Sequence, residues 1–91
     1  MDTLNMIMPV NKVGANRTGT LYDINVRTIN RILGFEPNAQ DDLDKVVNSW
    51  GFSYKGEICG IWDYKGSHEF GQFSTFGPDW VFEELFGTNY G

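Results

Sequence analysis

Between Lys45 and Ser67 the chain reads KVVNSWGFSYKGEICGIWDYKGS, two runs rich in Val, Ile, Trp, Phe and Tyr on either side of Lys55-Gly56. Two strand-like runs joined by two residues that end in Gly predict a β-hairpin with a primed turn. A two-residue loop fixes the register by counting outward: Tyr54 faces Glu57, Phe52 faces Cys59, Gly51 faces Gly60, Trp50 faces Ile61 and Ser49 faces Trp62. Facing residues share a side of the sheet. One side therefore collects Val46, Trp50, Phe52, Cys59 and Ile61 and is the expected core face. The other collects Val47, Ser49, Gly51, Ser53, Ile58, Gly60, Trp62 and Tyr64. On this second side the paired glycines are expected to leave a bare strip of backbone beside two rings, a shape suited to a partner or a flat ligand.

Around the hairpin the elements follow from local signals. Met6, Met8 and Val10 alternate, so residues 1–19 read as an N-terminal arm or an edge strand, with Pro9 tolerated only at an edge. Leu21 to Ile24 reads as a short strand. Asn25 caps a helix from about Val26 to Leu33, which stops at Gly34 with Pro37 beyond. Arg27 and Arg31 share an exposed face of that helix. Glu36 to Asp44 reads as a linker, whose Asp41, Asp42 and Asp44 lack the Gly and terminal Glu of a calcium loop. After the hairpin, Phe70 to Phe76 is the expected third strand of its sheet. Pro78 opens a second helix that ends at Gly87, with Trp80, Val81, Leu85 and Phe86 on one apolar side and Phe82 beside it. The order β-α-β-β-β-α predicts an α+β domain over residues 20–87: a small antiparallel sheet of three to four strands with two helices packed on one face. Residues 88–91 read as a tail.

Charge narrows the class of partner. The net charge is −5, and the ten carboxylates from Glu36 onward meet only three lysines. Nucleic-acid binding needs cationic neutralisation of phosphates, so direct binding of nucleic acid is not expected. An acidic surface suits a basic patch on another protein. The single cysteine, Cys59, excludes an intramolecular disulfide and suits a reducing cytosol. No window approaches a membrane span and no secretory signal is evident, so the expected location is the cytoplasm of a cell.

No catalytic constellation emerges. Cys59 with His68 is the only thiol–imidazole pairing, and the first faces the core while the second falls in a turn. Asp63 beside Lys65 makes an ion pair or a plain structural contact. No metal set, cofactor motif or phosphate loop is present, so neither a metal, a cofactor nor an enzymatic activity is expected.

The residues Leu33-Gly34, Glu36-Pro37-Asn38, Asp44-Lys45-Val46, Trp50, Gly56, Ile61-Trp62-Asp63-Tyr64-Lys65 and Phe73-Ser74-Thr75-Phe76-Gly77 together resemble a group of small uncharacterised proteins of tailed bacteriophages. The likeness spans about residues 20 to 87. It departs at Phe73, where that group carries Trp, and at Gly77-Pro78, where it carries a Gly pair. The resemblance implies a phage origin and this order of elements, and it carries no activity with it.

Binding is the function these observations leave. The expected reading is a phage-encoded interaction protein that binds and inhibits a host protein, such as a defence or transcription component, in the host cytoplasm. Trp62, Tyr64, Trp80 and Phe82 would anchor it and Asp63, Glu69, Asp79, Glu83 and Glu84 would steer it. The alternative is an oligomeric sponge for a nucleotide signal, with a pocket walled by Trp62 and Tyr64 and with Arg27 and Arg31 on a phosphate. A homodimer through the N-terminal arm or an open sheet edge is compatible with either.

Overall fold

The computed structural model describes residues 7–10, 16–38, 46–64 and 66–91, without the side chains of Val46 and Val47. The acidic run Asp41, Asp42 and Asp44, together with Lys45 and Lys65, lies outside the described residues, as do residues 1–6 and 11–15 of the arm.

Seven elements follow in order: β1 (Met8–Pro9), β2 (Gly19–Leu21), α1 (Val26–Leu33), β3 (Val46–Tyr54), β4 (Glu57–Tyr64), β5 (Phe73–Phe76) and α2 (Asp79–Phe86). The strands form one antiparallel sheet in the spatial order β1-β3-β4-β5-β2. The class is α+β, as the sequence predicts, but with five strands in place of three or four. The additional strand is β1, where Met8 pairs with Ser53 and Pro9 with Phe52, at an edge that tolerates proline.

The hairpin keeps its counted register from Tyr54↔Glu57 to Ser49↔Trp62. Lys55 and Gly56 both take positive φ, 50° and 82°, which is the mirror-image turn that matches strand twist. Beyond Ser49 the register slips, so that Val46 lies opposite Tyr64. The slip has a visible cause. Asp63 turns its carboxylate into the sheet and takes up both the backbone N–H of Asn48, at Oδ1, and its side-chain Nδ2, at Oδ2, each at 2.8 Å. An amide satisfied by a side chain has no need of the ladder, and a bulge follows.

The core lies between this sheet and the helices. Trp50, Phe52, Cys59 and Ile61 are all buried on the predicted inward side. From α1, Ile29 and Leu33 join that core, and Asn30 Oδ1 accepts a 2.9 Å hydrogen bond from the Trp50 indole nitrogen. From α2, Phe82 meets Phe52 edge to face at 6.1 Å. Both helices thus cover one face. The α1 boundaries follow from its caps: Asn25 Oδ1 accepts from the Thr28 N–H at 2.8 Å, and Gly34 at φ 91° closes the other end.

Three expectations need correction. The third strand starts at Phe73 rather than Phe70, because Gly66 and Gly71 in left-handed conformation bound a 3-10 turn over Ser67–Phe70. That turn leaves Phe70 76% exposed. The first strand stops at Leu21, since Asp23 takes φ 54°, outside the extended region. The closing residues are tied in rather than loose. Tyr90 bridges to Leu21, the Gly91 N–H donates to Thr20 O, and the Tyr90 ring stacks on Phe82 at 5.3 Å while its hydroxyl donates to Asp79. Only glycine at position 19 leaves room for this ring, because a Cβ there would stand 2.7 Å from Tyr90 Cζ.

The supposed linker also does structural work. Asn38 presents its Oδ1 to the Gly51 N–H and its Nδ2 to the carbonyls of Gly51 and Val10, while its own N–H donates to Ser49 O. One carboxamide therefore continues the ladder on β3 where β1 ends.

Candidate functional site

Alternation along the strands decides where each candidate points. Cys59, Ile61 and Asp63 face the helices, whereas Ile58, Gly60, Trp62 and Tyr64 face away. No described helix or strand packs on that outward face. Ile58 is 54% and Tyr64 44% exposed, with Trp62 and Phe76 half-buried among them. The glycine strip beneath them is not bare. Gly51 and Gly60 are both buried, and the Trp62 ring leans back along the strand, so that its Cζ3 would be 3.9 Å from a Cβ on Gly60. The missing side chains let an indole settle on the sheet; they do not leave an empty slot for a flat ligand.

The second group of candidates gathers at the other side of the molecule, where α2 meets the hairpin turn. Trp80, 43% exposed, tilts against Tyr54 with ring centroids 6.4 Å apart. Lys55 Nζ lies 3.1 Å from Glu84 Oε1 and 5.2 Å from the centre of the Tyr54 ring. The Glu84 carboxylate raises the Tyr54 hydroxyl above its ordinary range and raises Lys55 as well, while Tyr54 first and Lys55 second lower Glu84. Glu57, Asp79 and Glu83 are exposed around them. Asp79 holds the Tyr90 hydroxyl, and burial followed by that carboxylate pushes Tyr90 up to about 12.

Two of the nine candidates cannot touch a partner. Asp63 and Phe82 are both 0% exposed. Phe82 forms the centre of an aromatic stack with Phe86 at 6.2 Å and Tyr90, and Asp63 anchors the bulge described above. The remaining seven do not form one surface: Trp62 and Tyr64 lie on the open sheet face, Glu69 on the 3-10 turn, and Asp79, Trp80, Glu83 and Glu84 on α2 beyond the opposite face. For the same reason Arg27 and Arg31, exposed on α1, do not meet Trp62 and Tyr64, and one chain does not assemble the nucleotide pocket.

His68 lies in a turn, as the sequence predicts, but its ring is turned back onto the sheet. Its Nδ1 lies 2.7 Å from Asp63 Oδ2, and the ring is half-buried. A carboxylate behind an imidazole is also how an enzyme orients a base. Here the carboxylate is committed to Asn48, and the thiol that a nucleophilic reading would need is out of reach of solvent. Cys59 is buried, and burial first and Glu57 second push it up to about 12. The Asp63–His68 pair reads as the brace that fixes the 3-10 turn to the sheet. Ser67 Oγ, which accepts from the Tyr64 N–H at 3.1 Å, adds a second brace. Among the described residues no group of three or more His, Cys, Asp or Glu side chains could hold a metal ion, and no helix is long and apolar enough to cross a membrane.

Phe70 escaped the sequence reading. The β-like run Phe70 to Phe76 places it in a strand, whereas the flanking Gly66 and Gly71 are the signal that it belongs to a turn. Compared with protein-family models, with curated proteins and with solved structures, the chain has no significant match.

Proposed function

We propose that this chain is a phage-encoded, non-enzymatic interaction protein that binds a basic surface of a host protein in the host cytoplasm and inhibits it, with defence and transcription components as the candidate targets. The observation that carries the reading is the patch on α2 and the hairpin turn. Trp80 stands out from the helix against Tyr54, and Glu57, Glu83 and Glu84 border it. An exposed indole on a patch where the carboxylates outnumber the one lysine, Lys55 paired with Glu84, supplies an anchor together with steering toward cationic groups. The phage assignment rests on the sequence resemblance alone. Buried Asp63 and Phe82 drop out of the contact set, and Trp62 and Tyr64 belong to a different surface.

Affinity capture from a lysate of the bacterial host, followed by mass spectrometry, tests this reading. One host protein should be enriched by the wild type and lost, by at least about tenfold, with Trp80→Ala or Glu83→Arg. Trp62→Ala should retain it. Equal capture by all four chains, or turnover of a substrate by the purified protein, would remove the reading.

A further inference from the structure

Antiparallel sheets with one solvated face ordinarily alternate apolar residues inward with polar residues outward. On β4 that rule fails. Its outward positions hold Ile58, Gly60, Trp62 and Tyr64, and Phe76 stands beside Gly60 on β5. Among the described residues no charged side chain occupies this face, in a chain of net charge −5. A nucleic-acid base stack would need cations here and finds none.

We propose that a second copy of the chain docks on this face, sheet against sheet about a two-fold axis, burying Ile58, Trp62, Tyr64 and Phe76 of both copies. The proposal is independent of the binding reading above and concerns a different surface.

Three observations favour a second copy as the occupant. The first is charge. Glu57, Asp79, Glu83 and Glu84 all lie on the helix side, so copies approaching through the sheet keep these four carboxylates two layers apart, well beyond a screening length of about 8 Å. A two-fold approach through α2 would instead set Asp79, Glu83 and Glu84 of the two copies against each other. The second is size. In spatial order the strands run two, nine, eight, four and three residues, which at about 3.4 Å per residue and about 4.8 Å per strand gives a face of about 420 Å² in projection. That is about half of the roughly 800 Å² of accessible surface per partner of a standard interface, the size of a weak dimer that forms at high concentration. The third is shape. The Trp62 ring fills the place above Gly60, which leaves a surface smooth enough to stack at the usual sheet-to-sheet spacing of about 10 Å.

Edge pairing, the other route to a dimer, is opposed by the structure. The outer edge of β2 is occupied by the chain's own Tyr90 and Gly91, β1 at the other edge is two residues long with Pro9 lacking an N–H to offer, and β3 beyond β1 is covered by Asn38.

Sedimentation velocity of the purified full chain, from about 1 to 200 µM, tests the proposal. The wild type should sediment at twice the monomer mass in the upper part of that range, and 0.5 M NaCl should not dissociate it, since no ion pair holds the interface. The double variant Ile58→Lys/Tyr64→Lys should remain monomeric, with the dimer dissociation constant raised at least about 100-fold over wild type, while circular dichroism stays native. Tyr64→Lys alone, at a site already exposed, should weaken the dimer by about tenfold and serves if the double variant unfolds. Glu83→Arg and Trp80→Ala should leave the dimer intact. A wild type that stays monomeric to 200 µM overturns the proposal. So does a dimer that survives Tyr64→Lys and the double variant, or one that is lost with Glu83→Arg.

Discussion

Each face of the β3–β4 hairpin carries a Trp, an Ile and a Tyr, and these rings and branches have opposite fates. Trp50 and Trp62 stand one pair apart on adjacent strands, on opposite sides of the sheet. Trp50 is fully buried, packs edge to face on Phe73 at 5.8 Å and gives its N–H to Asn30. Trp62 leans over a glycine and keeps part of its ring in water. The difference lies in what the rest of the chain brings to each side. Both helices deliver apolar side chains to the inner face, whereas the described residues bring no layer to the outer one. An aromatic residue in a strand is therefore a statement about the sheet, and the side it takes decides whether it stabilises the fold or waits for company.

The largest expected effect tests this contrast directly. Trp50→Ala should cost about 3–5 kcal/mol in urea unfolding of the monomer, through loss of packing and of the Asn30 hydrogen bond. Trp62→Ala should cost less than about 1.5 kcal/mol, because part of its surface is never removed from water. Equal costs would mean that the outer ring is core after all. Next in size is Asp63→Ala, at about 2–3 kcal/mol, because it leaves the half-buried Asn48 N–H and side-chain amide without their carboxylate and empties a buried site. Hydrogen exchange should show the Asn48 amide losing protection while the hairpin turn keeps its own.

A smaller effect is expected in alkali. Cys59 lies at about 12 in the folded chain against an ordinary 9.0, so the folded state retains a proton that the unfolded state gives up. Above pH 9 the unfolded chain binds fewer protons than the folded one, and stability falls as pH rises from about 9 toward 12, by at most about 1.4 kcal/mol per pH unit for this group. Tyr90, also raised to about 12, adds a fall of the same sign above pH 10. Urea midpoints at pH 8, 9.5 and 10.5 should show it, and Cys59→Ala should lessen the slope. The native thiol should likewise resist alkylation at pH 8 and react fully in urea. The smallest effect is at the turn. Lys55 holds φ 50°, which Asn adopts more readily, so Lys55→Asn should raise the melting temperature by about 2 °C despite removing the exposed contact with Glu84.

Much of this architecture was legible in the chain. The hairpin register could be counted because a two-residue turn leaves no freedom, and α1 was bounded by an Asn and a Gly that do local work. What escaped was each place where a side chain took over a backbone's role. Asp63 displaces a ladder bond, Asn38 substitutes for a strand, and Tyr90 fills the space that Gly19 leaves open. Such substitutions depend on residues far apart in sequence and leave no periodic trace. The candidate site suffered from the same limit. Strand alternation separated Trp62 and Tyr64 from the core, but nothing local revealed that α2 would turn Phe82 inward and Trp80 outward, or that Phe70 would be lifted out by two left-handed glycines.

The position of β2 has a consequence for how the molecule is made. Gly19 pairs with Thr75, and Leu21 meets Tyr90. At synthesis rates of 5–20 residues per second, the first of these partners arrives about 3–11 s after β2 has been translated. During that interval β2 has no partner strand, although α1 can already rest on the β3–β4 hairpin through Trp50. Synthesis must therefore pass β5 before β2 can settle, and closure of that side of the sheet is expected to be a late event that follows the docking of β1 and α1 on the hairpin.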